Sequence, residues 1–133
     1  MNSTGHLSRS CRFLWLICLS LFSSGCDEYH GLATEIRGAA TAQQWQAWAA
    51  QVIERSKTNS VPPPRSEWPS FIGRLTPPCT DWQLYIGSSN ITLASIGGFG
   101  SFGVDIGAAT FIEESDPNQR CRRIYPGVYV RHN

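Results

Sequence analysis

Residues 13–22 form an uncharged, mostly apolar run, Phe-Leu-Trp-Leu-Ile-Cys-Leu-Ser-Leu-Phe, behind a short head that carries Arg9 and Arg12. A basic head, an apolar stretch of this length and small residues after it are the layout of an export signal. Crossing a hydrocarbon core of ~30 Å takes about 20 apolar residues, so the run is too short to be a stable span. Folding is therefore expected to start behind the boundary Ser23-Ser24-Gly25-Cys26. Removing the first 25 of the 133 residues leaves 108, enough for one small domain and too few for two good cores.

The four residues at that boundary resemble the lipobox of bacterial lipoproteins, in which the cysteine becomes the first residue of the mature protein. The family favours Leu at the position that Ser23 holds here. The resemblance implies a diacylglycerol thioether on Cys26, cleavage before it, and acylation of the new amine by a fatty acid such as palmitate. It also implies membrane lipid as a partner, with the body on the cell membrane or outer membrane and facing away from the cytoplasm. Each buried methylene contributes about 0.8 kcal/mol, and two acyl chains suffice for stable anchoring. Plain secretory cleavage after Gly25 fits the same small residues and would release a soluble domain.

Charge turns the reading away from nucleic acid. The chain has 11 basic and 10 acidic residues, and two of the arginines precede the boundary, so the mature part carries a net charge of −1. No long basic run offers a phosphate-binding surface. Arg120, Arg122 and Arg123 are the one local cluster and read as a solvated turn flank.

Two cysteines remain once Cys11, Cys18 and Cys26 are accounted for, namely Cys79 and Cys121. In an oxidising compartment an isolated pair is expected to form a disulfide. Closing that 42-residue loop would contribute about 4 kcal/mol in the chain-entropy picture. A redox or metal role has little support, since there is no Cys-x-x-Cys and the mature chain keeps only His30 and His132, near its two ends.

Residues 26–40 are polar and contain glycine, and are expected to form a tether or a helix lead-in. Thr41 and Gln44 then have the spacing of a capping box. Trp45, Trp48, Ala49, Val52 and Ile53 recur on one helical face, which predicts an amphipathic helix over 41–57 with both tryptophans in the core. Val61-Pro62-Pro63-Pro64 opens a stiff connector over 58–78. From Asp81 the period changes to two. Trp82, Leu84 and Ile86 alternate with polar residues, Gly87-Ser88-Ser89-Asn90 turns the chain, and 91–96 completes a hairpin. A further strand is expected from Phe102 towards Phe111 and Ile112. Ser115-Asp116-Pro117-Asn118 is a turn, and 124–131 is a last strand interrupted by Pro126-Gly127. The fold class is α+β: a signal over 1–25, the tether, and a single domain over 41–133. In that domain an N-terminal helix packs on an antiparallel sheet of three to four strands in the β-rich part 79–133, with one disulfide.

Gly98, Gly100 and Gly103 spell G-x-G-x-x-G, but a β-like run follows them instead of a helix, so no nucleotide site is expected. A serine hydrolase would need a histidine held beside a nucleophile, and neither histidine lies in the body of the domain. A small enzyme would require a cleft that gathers His132 or Asp105 with a nucleophile. Glu113 and Glu114, as strand neighbours, would point to opposite faces and share no site. No catalytic residue, metal ligand or cofactor emerges. Tyr125 and Tyr129 are the aromatics expected on a contact surface. The glycine-rich segment and the closing Tyr125-Pro126-Gly127-Val128-Tyr129-Val130 are loosely similar to small uncharacterised bacterial secreted proteins, a similarity that brings no function. The expectation is a lipid-anchored envelope module that acts by binding or by a structural role, with an envelope protein as a further partner.

Overall fold

The computed structural model describes residues 24–98, 100–114 and 119–132, with side chains from His30 onward. The expected signal up to Ser23 and the expected turn at 115–118 lie outside the described residues. No helix among the described residues is long and apolar enough to cross a membrane.

Two helices lie on one face of an antiparallel sheet. Helix α1 spans Ser24–Ala39 and α2 spans Ala42–Thr58. The strands are β1 (Gln83–Ile86), β2 (Asn90–Gly97), β3 (Gly100–Gly107), β4 (Arg120–Tyr125) and β5 (Val128–His132), in the order β1-β2-β3-β5-β4. The α+β class therefore holds, with two corrections: the sheet has five strands, and the capped helix is the second of the two among the described residues.

Residues 26–40, expected as a tether or a helix lead-in, are helical through Ala39. Leu32, Ala33, Ile36, Ala39 and Ala40 recur at helical spacing and are all buried. Small side chains make this stripe weakly apolar, and Gly31 and Gly38 lower helix propensity. Packing makes up the difference. The last carbonyls of a helix have no partner within it. Here Trp45 Nε1 donates to Ile36 O at 3.3 Å, Tyr125 Oη to Arg37 O at 3.2 Å, and Arg74 Nη1 to Ala39 O at 3.5 Å. Three separate parts of the chain thus terminate α1.

Helix α2 starts as its sequence indicates. Thr41 Oγ1 accepts from Gln44 N at 3.3 Å, and Gln44 Oε1 accepts from Thr41 N at 2.9 Å. Trp45, Trp48, Ala49 and Val52 are buried against the sheet and the connector. Trp45 meets Phe71 edge-on with centroids 4.7 Å apart, and Trp48 packs on Trp68 at 6.2 Å. The connector thus folds back over α2, through short 3-10 turns at Arg65–Glu67 and Ile72–Arg74.

The extra strand comes from Pro126-Gly127. This pair closes a hairpin between β4 and β5, where an interruption of one strand was expected. Gly127 has φ +73°, which L side chains rarely adopt, and a Cβ there would stand 2.1 Å from Ala108 O. Strand β3 ends at Gly107 and does not run on to Ile112. Phe111 folds back so closely that a Cβ on Gly107 would stand 2.6 Å from its ring.

The expected disulfide is absent, and Cys79 and Cys121 are free thiols. Ser95 fixes the first of them. Its buried hydroxyl accepts from Cys79 N at 3.0 Å and donates to Thr80 O at 2.6 Å, which holds the end of the connector on the helix side of β2. Cys121 pairs in register with Arg131 on the other face, beyond β3 and β5. Three strand spacings of about 4.8 Å separate β2 from β4, whereas a disulfide needs Cα atoms within roughly 7 Å.

Replacing Gly127 by Ala combines the backbone penalty with a clash against main chain, so about 3 kcal/mol of stability should be lost. Urea denaturation of the variant beside the wild type measures this, and an unchanged midpoint would contradict the hairpin geometry.

Candidate functional site

Alternation divides the sheet into two chemically distinct faces. Ile91, Leu93, Phe102, Val104, Ile106, Val128 and Val130 point towards the helices and are buried. Register places Thr92, Asp105, Tyr129 and Arg131 on the opposite face. No helix among the described residues covers that face. The segment after β3 covers part of it: Tyr129 Oη donates to Phe111 O at 3.2 Å, and the two rings meet edge-on with centroids 5.8 Å apart.

Asp105 lies at the centre and is 1% exposed. Thr92 Oγ1, directly opposite on β2, donates to its Oδ1 at 2.5 Å. Arg131 reaches across from β5, with Nη2 donating to Oδ1 at 3.3 Å and Nε lying 3.1 Å from Oδ2, out of line for a hydrogen bond. Burial pushes the Asp105 carboxyl above its ordinary value near 3.8, while the Thr92 hydrogen bond and the Arg131 charge pull the other way. Half-buried Glu113 belongs to the same patch. Burial and then the Asp105 charge raise its carboxyl, with Arg131 opposing.

Cys121 borders the cluster. Burial, Glu113 and Asp105 together push its thiol above its ordinary value near 9.0, so it is held in the protonated form. A thiol in that form is a poor nucleophile and a poor metal ligand. No group of three or more metal-ligating side chains is found among the described residues. Beside the cluster is a hollow of about 70 Å³, lined by Ala94, Ile96, Ser101, Phe102, Gly103 and Arg131, well below the size of an organic-substrate site. One cation facing two carboxylates fits a polar brace that fixes strand register better than it fits a reaction centre.

A larger groove, about 360 Å³, runs along the connector between Trp68, Ile72, Leu75 and Trp82. Arg65 occupies much of its polar wall. It donates to Trp82 O, lies 3.3 Å from Asp81 Oδ2 and stacks 5.4 Å above the Trp68 ring. Trp68 Nε1 donates to Pro63 O at 3.0 Å, so this aromatic wall serves the connector's own fold.

The remaining expected residues are dispersed. Cys26 lies in the first turns of α1, its side chain outside the described ones. His30 Nδ1 is 3.0 Å from Arg122 Nη1, and His132 stacks on Phe102 with centroids 4.4 Å apart. His132 and Asp105 are three residues out of phase in register and so face opposite sides of the sheet. Tyr125 and Tyr129 are engaged internally. Among the described residues the exposed large apolar side chains are Val61, Tyr85, Ile96 and Ile112. No protein-family model matches the chain, and no curated protein or solved structure matches it.

Folding favours the protonated form of Asp105. Its contribution to stability is present below the ordinary value and lost as pH rises through the raised folded value. The stability of the wild type relative to Asp105→Asn should therefore fall as pH rises from about 4, and then level off. Urea denaturation of both proteins across that range measures the difference, and a constant or rising difference contradicts the burial argument.

Proposed function

We propose that the protein is a lipid-anchored extracytoplasmic module, held to its membrane through Cys26, whose body works at the envelope by binding or by a structural role. One observation carries this reading: the charge-free run 13–22 leads into small residues and then Cys26. The cysteine argument for export drops out, because Cys79 and Cys121 stand too far apart to bridge. The leader stands without it.

The way the chain continues after Cys26 is compatible with an anchor. Leu32, the first buried residue among the described side chains, follows six positions later on the same helix, which is about 9 Å of rise. An acylated Cys26 would hold the domain against the bilayer surface. An enzymatic reading draws no support from the site: Asp105 is enclosed by its own partners, and His132 lies on the other face of the sheet.

The test is intact mass and detergent partitioning of the chain expressed in bacteria with its own signal, beside Cys26→Ala. The wild type should enter the detergent phase with the mass of residues 26–133 plus acyl chains, and the variant should not. A wild-type chain starting at Cys26 without acyl groups, recovered in the aqueous phase, would make the protein a secreted domain and overturn the anchor.

A further inference from the structure

The two edges of the sheet are unlike. At the β4 edge stand Arg120, Arg122 and Arg123, and a register shift between Arg123 and Tyr125 breaks the ladder. Charges and irregularities of this kind keep an edge from pairing with other strands. Strand β1, at the opposite end of the strand order, has neither. Its register runs unbroken from Gln83↔Ala94 to Ile86↔Ile91, and residues 82–104, which hold β1, β2 and the start of β3, contain no charged side chain. Tyr85 on this strand is 50% exposed.

Register also says which main-chain groups of β1 are open. Gly87 N donates to Asn90 O at 2.8 Å, so these two residues form a hydrogen-bonded pair. Such pairs alternate along an antiparallel ladder, so Gln83 and Tyr85 bond to β2, while Trp82, Leu84 and Ile86 turn their N–H and C=O outward. Arg65 donates to Trp82 O and closes that position. Leu84 and Ile86 remain, and among the described residues no strand pairs with them on that side.

A second copy fits this opening. Antiparallel pairing about a two-fold axis at Tyr85 sets Leu84 opposite the partner's Ile86 and Ile86 opposite the partner's Leu84, each pair exchanging both of its hydrogen bonds. Tyr85 then faces its own counterpart in a non-hydrogen-bonded pair, with Cα atoms about 4.5 Å apart. Its hydroxyl already donates to Gln83 Oε1 at 2.7 Å, which leaves the ring for the contact. An axis at Leu84 would need the Trp82 carbonyl that Arg65 has closed, and one at Ile86 would draw in Ser88 of the turn.

We infer that β1 pairs with β1 of a second copy of this chain, joining two five-stranded sheets into one of ten strands. The same patch meets itself, as a two-fold dimer requires. With no charge along the edge, nothing in it repels its own copy. Main-chain hydrogen bonds supply the attraction, and two half-exposed tyrosines add apolar area. The four residues of β1 fall short of the roughly 20–30 a side of a standard interface, so the dimer is weak and concentration-dependent. It requires nothing of Cys26 and stands apart from the anchor.

The test traps the pair in the full chain, expressed with its own signal and with Cys79→Ser and Cys121→Ser. Tyr85→Cys sets two Cα atoms about 4.5 Å apart, within the roughly 4.4–6.8 Å of a disulfide. Mild oxidation should then join two copies through residue 85, identified by the mass of the linked peptide. Gln83→Cys is the control: it lies four residues out of step with its counterpart, about 13 Å, and should not cross-link. Amide hydrogen exchange on the wild type needs no substitution. With β1 paired, the Leu84 and Ile86 amides are protected alongside Gln83 and Tyr85, and they alone lose protection on dilution, in buffer or, for an acylated chain, in added lipid. Tyr85→Lys, which opposes like charges and removes the ring pair, should raise the dimer dissociation constant about tenfold. Cross-linking at 85 no greater than at 83 would overturn the inference. So would Leu84 and Ile86 amides that exchange freely at every concentration while Gln83 and Tyr85 stay protected.

Discussion

Trp45 fastens the helical layer to itself. Its ring is sealed from solvent at the corner where α1 stops and α2 begins, its indole closes the Ile36 carbonyl, and its edge contact with Phe71 draws the connector over α2. One buried tryptophan can remove 150–250 Å² from water, a large share of what so small a core has to gain. Without that corner, α1 would be a glycine-containing helix of 16 residues with a weak apolar stripe, marginal by itself. With it, Leu32, Ala33 and Ile36 become part of the same core as the β-strands.

Placing α1 in the core bears on function. A flexible tether of about 15 residues would let the body drift on the order of 20 Å from its attachment point. With the anchor proposed at Cys26, a helix that includes that residue and is buried from Leu32 onward would allow no such drift. Register places Arg120 and His132 at one end of the sheet and Gly87, Gly107 and Gly127 at the other.

What could be read from the sequence follows from how local each signal is. Helix α2 was legible because its capping box and apolar stripe lie within one stretch of chain. The β1–β2 hairpin was legible through strict alternation around Gly87-Ser88-Ser89. Helix α1 was obscured because its buried stripe is mostly alanine, which resembles surface composition. Pro126-Gly127 looked like a flaw in one strand and is the turn between two. The two cysteines suggested a bond because sequence carries no distance, and strand order placed them on opposite faces. The Asp105 cluster was least accessible: its partners are 13 and 26 residues away and meet only through register. Its one local trace is a carboxylate set between Val104 and Ile106 in a buried strand.

The claim most exposed to test is that the folded body begins with α1 instead of a tether. Amide hydrogen exchange resolved by NMR on the mature chain measures this residue by residue, with or without lipid. Amides from Ala33 to Ala39 should be protected to a similar degree as those of Trp48 to Val52 in α2, because both helices open only with the common core. Exchange at the rate of an unstructured chain over 33–39, with α2 still protected, would restore the tether and contradict the claim.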